Sequence, residues 1–191
     1  MARSETYVSV DIEADGPVPG LHSLLSIGAA AYRASGRLLG TFAVNLEPLP
    51  GATAHPRTVA WWQEQPEAWA ACREDLVAPE LAMARFAAWV AELPGRAIFV
   101  GYPASFDFAF VSYYFERFGH GAPFGHAALC VQSFAMALGR SSFDRARRMC
   151  LPERWRSSRP HTHRALDDAL EQGEIFLAML AEMRGGSAEP R

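Results

Sequence analysis

Lysine is absent from this chain of 191 residues, and all 18 basic side chains are arginine. Set against 21 acidic residues they leave a formal net charge of -3, which argues against a protein that grips long duplex nucleic acid by bulk electrostatics. An enzyme that meets phosphates by other means stays open. The all-arginine usage reads first as overall composition, although a guanidinium does bind phosphate through paired hydrogen bonds. Cysteine is scarce too. Cys72, Cys130 and Cys150 are odd in number, far apart and without a C-x-x-C pair, so they suggest neither a disulfide framework nor a zinc knuckle. They read as reduced, mostly buried thiols. Also missing are an apolar leader segment behind Met1-Ala2-Arg3 and any uncharged apolar run near the roughly 20 residues that cross a bilayer. A cytoplasmic protein with no membrane partner is expected.

What the chain does have is apolar mass. Half of its residues are hydrophobic, enough for a full core, and one domain is expected over residues 1–184 with a flexible tail at 185–191. The stretch Tyr7 to Glu13 alternates like a strand, with Val8, Val10 and Ile12 on one face and Ser9, Asp11 and Glu13 on the other. Leu24 to Tyr32 and Leu38 to Leu46 are β-compatible runs around a turn at Ala34-Ser35-Gly36-Arg37. Together these form an antiparallel meander. Short helices over Thr58 to Gln65 and Glu67 to Arg73 follow, then an amphipathic helix over Pro79 to Leu93 with Leu81, Phe86, Ala87, Val90 and Leu93 at near-helical spacing. Ala97 to Tyr102 reads as a buried strand, Phe108 to Phe118 as a helix, Ala127 to Val131 as a strand, and Ser133 to Leu138 as a short helix. After an irregular, Arg-rich stretch at 140–164, a final helix spans Arg164 to Met183, its expected core side being Leu166, Leu170, Gly173, Phe176, Leu177 and Leu180. A meander followed by alternating helices and strands implies an α/β mixed sheet flanked by helices.

The acids fall in telling places. Asp11 and Glu13 project side by side with no cation nearby in sequence, which suits either a frayed strand end or a divalent metal. Asp107 follows the buried strand, and Asp167 and Asp168 stand early in the final helix, just behind His161 and His163. Separate carboxylates gathered at one sheet edge supply the hard oxygen ligands of a phosphodiester-cleaving metal site. A histidine near them is a candidate base.

Asp11-Ile12-Glu13, then Phe106-Asp107, then His163 followed five positions later by Asp168, resembles the ordered motif set of the DEDDh 3′-to-5′ exonucleases of the ribonuclease-H-like superfamily. That superfamily includes polymerase proofreading subunits, ribonuclease T and oligoribonuclease, and the likeness spans residues 7–180. The resemblance implies a ribonuclease-H-like five-stranded mixed sheet, an antiparallel meander followed by parallel strands. It implies that Asp11, Glu13 and Asp168 bind two Mg2+ or Mn2+ ions, that Asp107 binds or orients them, and that His163 is the general base. The implied reaction removes nucleoside 5′-monophosphates from single-stranded 3′ ends. Helical periodicity does not choose between Asp167 and Asp168; the family spacing alone favours Asp168. A homodimer is also implied.

Departures from the family pattern bear on substrate. Asp15 stands where many members have Thr, and Tyr102-Pro103 where many have His-Asn. Asp15 reads as a turn-forming residue. Ala14, Phe106, Trp61 and Trp62 are the candidate substrate contacts, since aromatic faces stack bases without regard to sequence; Phe110 is a weaker one. The arginines at 145, 147, 148, 154, 156, 159 and 164 serve either the phosphate backbone or plain solubility. The region around Thr58, Trp61, Trp62 and Pro66 looks like a bacterial exoribonuclease branch, so RNA 3′ ends are the expected substrate. The alternatives are a DNA exonuclease of proofreading or trimming type and a non-catalytic nucleic-acid-binding domain of the same fold.

Overall fold

The computed structural model describes residues 4–185. Its strands, β1 (Glu5–Ala14), β2 (Leu24–Tyr32), β3 (Leu38–Asn45), β4 (Arg96–Gly101) and β5 (Ala128–Cys130), form one sheet in the order β3-β2-β1-β4-β5. β1 is antiparallel to β2, and β2 to β3, whereas β4 runs parallel to β1 and β5 to β4. The expected meander followed by parallel strands is what forms. Six helices accompany it: α1 (Pro56–Gln63), α2 (Pro66–Ala71), α3 (Pro79–Glu92), α4 (Ala104–Arg117), α5 (Val131–Leu138) and α6 (Ala165–Met183). Pro79 sits in the first turn of α3, where its missing N–H costs nothing. Among the described residues no helix is long and apolar enough to cross a membrane. Of the tail expected at 185–191, residues 186–191 lie outside the described residues.

The alternation in β1 divides the core between the two faces of the sheet. Val8, Val10 and Ile12 pack with Phe86 of α3 and Phe110, Val111, Tyr114 and Phe115 of α4. On the opposite face Tyr7 meets Phe176 of α6 at a ring separation of 5.0 Å, in a second cluster with Val131, Trp155, Ile175 and Met179. Ser9, Asp11 and Glu13 therefore look toward α6.

That helix packs on its small and polar residues. Its buried face carries Ala165, Asp168, Ala169, Gln172, Gly173, Phe176, Met179 and Leu180, while Leu166, Leu170 and Leu177 are only half-buried. The reason is close approach. A Cβ added at Gly28 would lie 2.1 Å from the carbonyl carbon of Ala165, and one at Gly173 would lie 2.6 Å from the Tyr32 ring. Leucines cannot fit where helix backbone nearly touches sheet backbone, so Gly173, Phe176 and Leu180 are buried as expected while the other three leucines are set aside. The same contact carries the first turn of α6 to the end of β1. Gly28→Ala is accordingly expected to cost about 1–3 kcal/mol by overpacking, and to lower activity further by displacing that turn. Denaturant unfolding alongside a nuclease assay checks both; a variant of unchanged stability and activity would disprove the close-packing account.

Other expectations are corrected by the packing. Leu81 of α3 is 48% exposed, and the buried face of that helix is instead Ala82, Met83, Phe86 and Val90. Cys72 is buried, but Cys130 is half-buried and Cys150 exposed, and all remain free thiols. α4 begins at Ala104 rather than Phe108, which puts Asp107 in its first turn.

Candidate active site

β1 is longer than its parallel partner. Pairing with β4 ends at Ser9, so the backbone edge from Val10 onward needs other partners. Two side chains supply them. Asp107 of α4 accepts from the Ile12 N–H at 3.1 Å, and Gln172 of α6 donates to the Val10 carbonyl at 2.6 Å. The strand that bears the first two acids is thus tied to both helices that flank them.

Asp11, Glu13 and Asp168 each place a carboxylate oxygen within 4.8 Å of the others. Burial raises Asp11 well above the usual carboxylate range, and the charges of Asp107, Glu13 and Asp168 add to it, with Arg148 opposing. Glu13 is raised for the same reasons, burial first and then Asp168 and Asp107. Burial pushes Asp107 up to about 7 against the pull of its backbone hydrogen bonds and of Arg148. Such a set holds protons because burial disfavours its charged forms by more than Arg148 relieves. A divalent ion would meet their charge, and hard carboxylate donors suit Mg2+ or Mn2+.

Asp168 differs. Burial would raise it, but hydrogen bonds from His161 and the Thr162 N–H prevail and hold it low. The Thr162 and His163 N–H groups donate to its two oxygens at 2.8 and 2.9 Å, and His161 Nδ1 lies 2.8 Å from Oδ2. His163 adopts a left-handed φ of 56°, rare for a residue with a Cβ, and this lets the two successive N–H groups converge. Asp167 has only a long contact with the Thr162 hydroxyl, 3.4 Å. Of the two neighbouring acids, then, it is Asp168 that the fold turns toward Asp11 and Glu13.

His163 stands half-buried above this group, its ring edge-on to Trp61 at 4.9 Å and to His161 at 4.5 Å. Burial, and then the proximity of His161, lower its pKa. It is neutral at pH 7 and able to accept a proton.

The candidate substrate contacts separate. Phe106 is 37% exposed beside Asp107, and Trp61 is half-buried against His163. Trp62 turns inward: it is 3% exposed, and its indole N–H donates to the Ala14 carbonyl at 3.1 Å. Both residues of that pair fix the strand end, and Trp62 keeps no face open to a base. Phe110 is fully buried under Phe106 and belongs to the core. Asp15 closes a turn by accepting from the Ser23 N–H.

A family model, the 3′-5′ exoribonuclease Rv2179c-like domain, matches residues 6–180. The chain belongs to that family. This Rv2179c-like domain is 32% identical over 176 residues to the 3′-5′ DNA exonuclease Cap18 of Escherichia coli, covering 90% of each chain. Its fold is that of the nuclease domain of 3′hExo, a DEDDh family member bound to rAMP, with a TM-score of 0.71 over 98% of both chains at 8% identity. Exonuclease I of Escherichia coli, in its zinc-bound complex with single-stranded DNA, superposes with a TM-score of 0.69 at 18% identity over 95% of this chain. The chain spans 41% of that larger enzyme. By its family and its relative the Rv2179c-like domain is therefore a 3′-5′ exonuclease, and it has the fold of a DEDDh nuclease.

Two side chains of this Rv2179c-like domain went unrecognised in the sequence. Gln172 looks like any polar helix residue until β1 is seen to lack a partner. His161 reads as a loop residue, yet it bridges Asp168 and Glu171, the latter at 3.2 Å. Its pKa is raised because those two hydrogen bonds outweigh the effect of burial. Side chains that orient a metal-binding carboxylate typically change metal affinity by about 10–100-fold when lost. His161→Ala is expected to weaken Mn2+ binding within that range while the melting temperature changes little. Titration of the metal by calorimetry measures it, and unchanged affinity would leave His161 as a loop residue only.

Proposed function

We propose that this exonuclease hydrolyses the terminal phosphodiester of single-stranded 3′ ends and releases nucleoside 5′-monophosphates, with RNA as the preferred substrate. The observation that carries the reading is the convergence of Asp11, Glu13 and Asp168 within 4.8 Å, beside His163. In this reading Asp11, Glu13 and Asp168 hold two Mg2+ or Mn2+ ions, and Asp107 orients them. The bound ions would acidify a water and stabilise charge on the leaving oxygen. His163, neutral and fixed edge-on by Trp61, takes the proton of the attacking water. Phe106 offers its exposed face to the last base, and Ala14 lines the strand end beneath it. The convergence of Asp11, Glu13 and Asp168 beside His163, with Asp107 bonded to the strand that carries the first two, supports catalysis over a purely binding role.

The preference for RNA is supported by the exoribonuclease description of the matching family. A second reading, DNA, is favoured by the relative that is described as a DNA exonuclease. Paired RNA and DNA oligonucleotides of one sequence, labelled at the 3′ end and offered with Mg2+ or Mn2+, separate the two. Mononucleotide release from RNA at the higher kcat/KM is expected; release from DNA alone would reverse the assignment. The same reading includes a homodimer, so light scattering should return twice the chain mass, and a monomer at working concentration would remove that part.

A further inference from the structure

The arginines between 140 and 164 are sorted by the fold. Arg147 pairs with Asp144, Arg154 with Glu182 and Arg159 with Glu174, all as exposed surface pairs. Arg156 donates to the Leu151 carbonyl at 2.8 Å. Arg148 alone among these stands next to the site: it meets His161, which lies against Asp168, and its charge opposes the protonation of Asp11, Asp107 and Asp168.

It is also held there, yet left incomplete. The Tyr102 hydroxyl donates to the Ala146 carbonyl at 2.7 Å and anchors the turn that carries Arg148, while the guanidinium lies 5.6 Å from the Tyr102 ring centroid. Glu171 pairs with Arg148 Nη1 at 3.4 Å. Arg148 Nε is buried with no hydrogen-bond partner among the described residues. Nη1 also meets His161 Nδ1, but that nitrogen lies 2.8 Å from Asp168 Oδ2. One imidazole nitrogen cannot donate to Asp168 and accept from Arg148 together. The contact with His161 is therefore one that the guanidinium can give up. A cavity of about 210 Å³, lined by Arg148, Arg156, Ser157 and Glu171, opens beside it and leaves room to turn.

A cation with an orphaned donor, one side chain away from a metal-binding carboxylate, matches the needs of a phosphate: a planar fork of N–H groups aimed at two oxygens. We propose that Arg148 is a substrate-binding residue, whose guanidinium leaves His161 to hold the phosphate of the 3′-terminal nucleotide, with Tyr102 and Glu171 keeping it in reach. This rests on the exonuclease reading above and adds to it a phosphate contact from the irregular loop. Tyr102 is a positioning residue, acting through Arg148 and Ala146.

The competing account is that Arg148 merely offsets the charge of the carboxylates. Adenosine 5′-monophosphate and adenosine, each titrated into the Mn2+-loaded protein, separate the two. With Arg148→Gln the monophosphate is expected to bind at least 10-fold more weakly, adenosine equally well, and kcat/KM on an oligonucleotide to fall 10- to 100-fold. Arg148→Lys keeps the charge but not the fork and should recover only part of the loss. Tyr102→Phe should raise KM with kcat and Mn2+ affinity unchanged. Unchanged monophosphate binding in Arg148→Gln, together with tighter Mn2+ binding, would overturn the proposal in favour of charge offset. If the glutamine variant melts early, full monophosphate affinity in Arg148→Lys overturns the paired contact. A wild-type protein that neither cleaves nor binds the monophosphate would overturn the exonuclease reading and this proposal with it, whereas an active wild type with an indifferent Arg148 removes the proposal alone.

Discussion

Asp11→Asn and Asp168→Asn each leave a folded protein without nuclease activity: kcat with Mg2+ or Mn2+ is expected to drop by more than the roughly 10²–10³-fold that losing one preorganised electrostatic group costs. The amide keeps the shape of the side chain but withdraws a charge and one oxygen donor from a set whose oxygens lie within 4.8 Å. Asp167→Asn is the control and should retain most activity, since its carboxylate makes only a long contact to Thr162. Full activity in Asp168→Asn with loss in Asp167→Asn would mean that the register of α6 is wrong.

Stability should move the opposite way from activity. In the metal-free protein Asp11 is raised well above the usual carboxylate range, by burial and then by its acidic neighbours, so its neutral amide relieves repulsion and the melting temperature should rise. The same shifts set a pH dependence. Asp107 keeps its proton up to about 7 in the folded state, because of burial, but loses it near 3.8 when unfolded. The stability it contributes is full below the unfolded value and is lost as pH rises through the folded one. Asp11 and Glu13, also raised, act in that direction; Asp168, held low, acts against them. Metal-free protein should accordingly melt lower at pH 8 than at pH 5, and added Mn2+ should recover the loss at pH 8 by binding only the folded state. A flat pH profile, or no response to Mn2+, would contradict the carboxylate arrangement.

His163→Ala should lower kcat by about 10²–10⁴-fold, the usual contribution of a positioned base, with Mn2+ affinity nearly unchanged. Its imidazole lies beside the carboxylates proposed to hold the metal, but the link to Asp168 is made by the backbone N–H, which alanine retains. The variant therefore separates proton transfer from metal binding. Alanine also tolerates the left-handed φ of 56° poorly, so a modest loss of stability should accompany the change. His163→Asn, a residue better suited to that conformation, should restore stability without restoring rate. Recovery of both would show that the turn, and not the imidazole, is what activity needs. A rate falling less than tenfold in the alanine variant would pass the role of base to another group.

Some of this was written in the order of residues. Alternation over Tyr7 to Glu13 determines that Asp11 and Glu13 share a face, because strand geometry puts every second side chain on one side whatever the rest of the chain does. The apolar run of β4 and the acid after it likewise name Asp107, while the choice of Asp168 over Asp167 in the first turn of α6 comes from the family resemblance alone. The strand order follows from a meander and two parallel crossovers, which leave few other arrangements.

Long-range packing decided the rest. Periodicity finds Gly173, Phe176 and Leu180 on the buried face of α6, but it cannot foresee that a glycine of β2 lets the helix backbone approach, which leaves Leu166, Leu170 and Leu177 half-buried while Asp168 points in. It cannot show that β1 outruns β4, and hence why Asp107 and Gln172 are needed at its edge. Nor can it separate Trp61 from its neighbour Trp62, one beside His163 and the other buried under the strand. Arg148 is the clearest instance. In sequence it is one arginine among seven, and only the fold, by pairing Arg147, Arg154, Arg156 and Arg159 elsewhere and seating Arg148 by Tyr102 and His161, brings it next to the site.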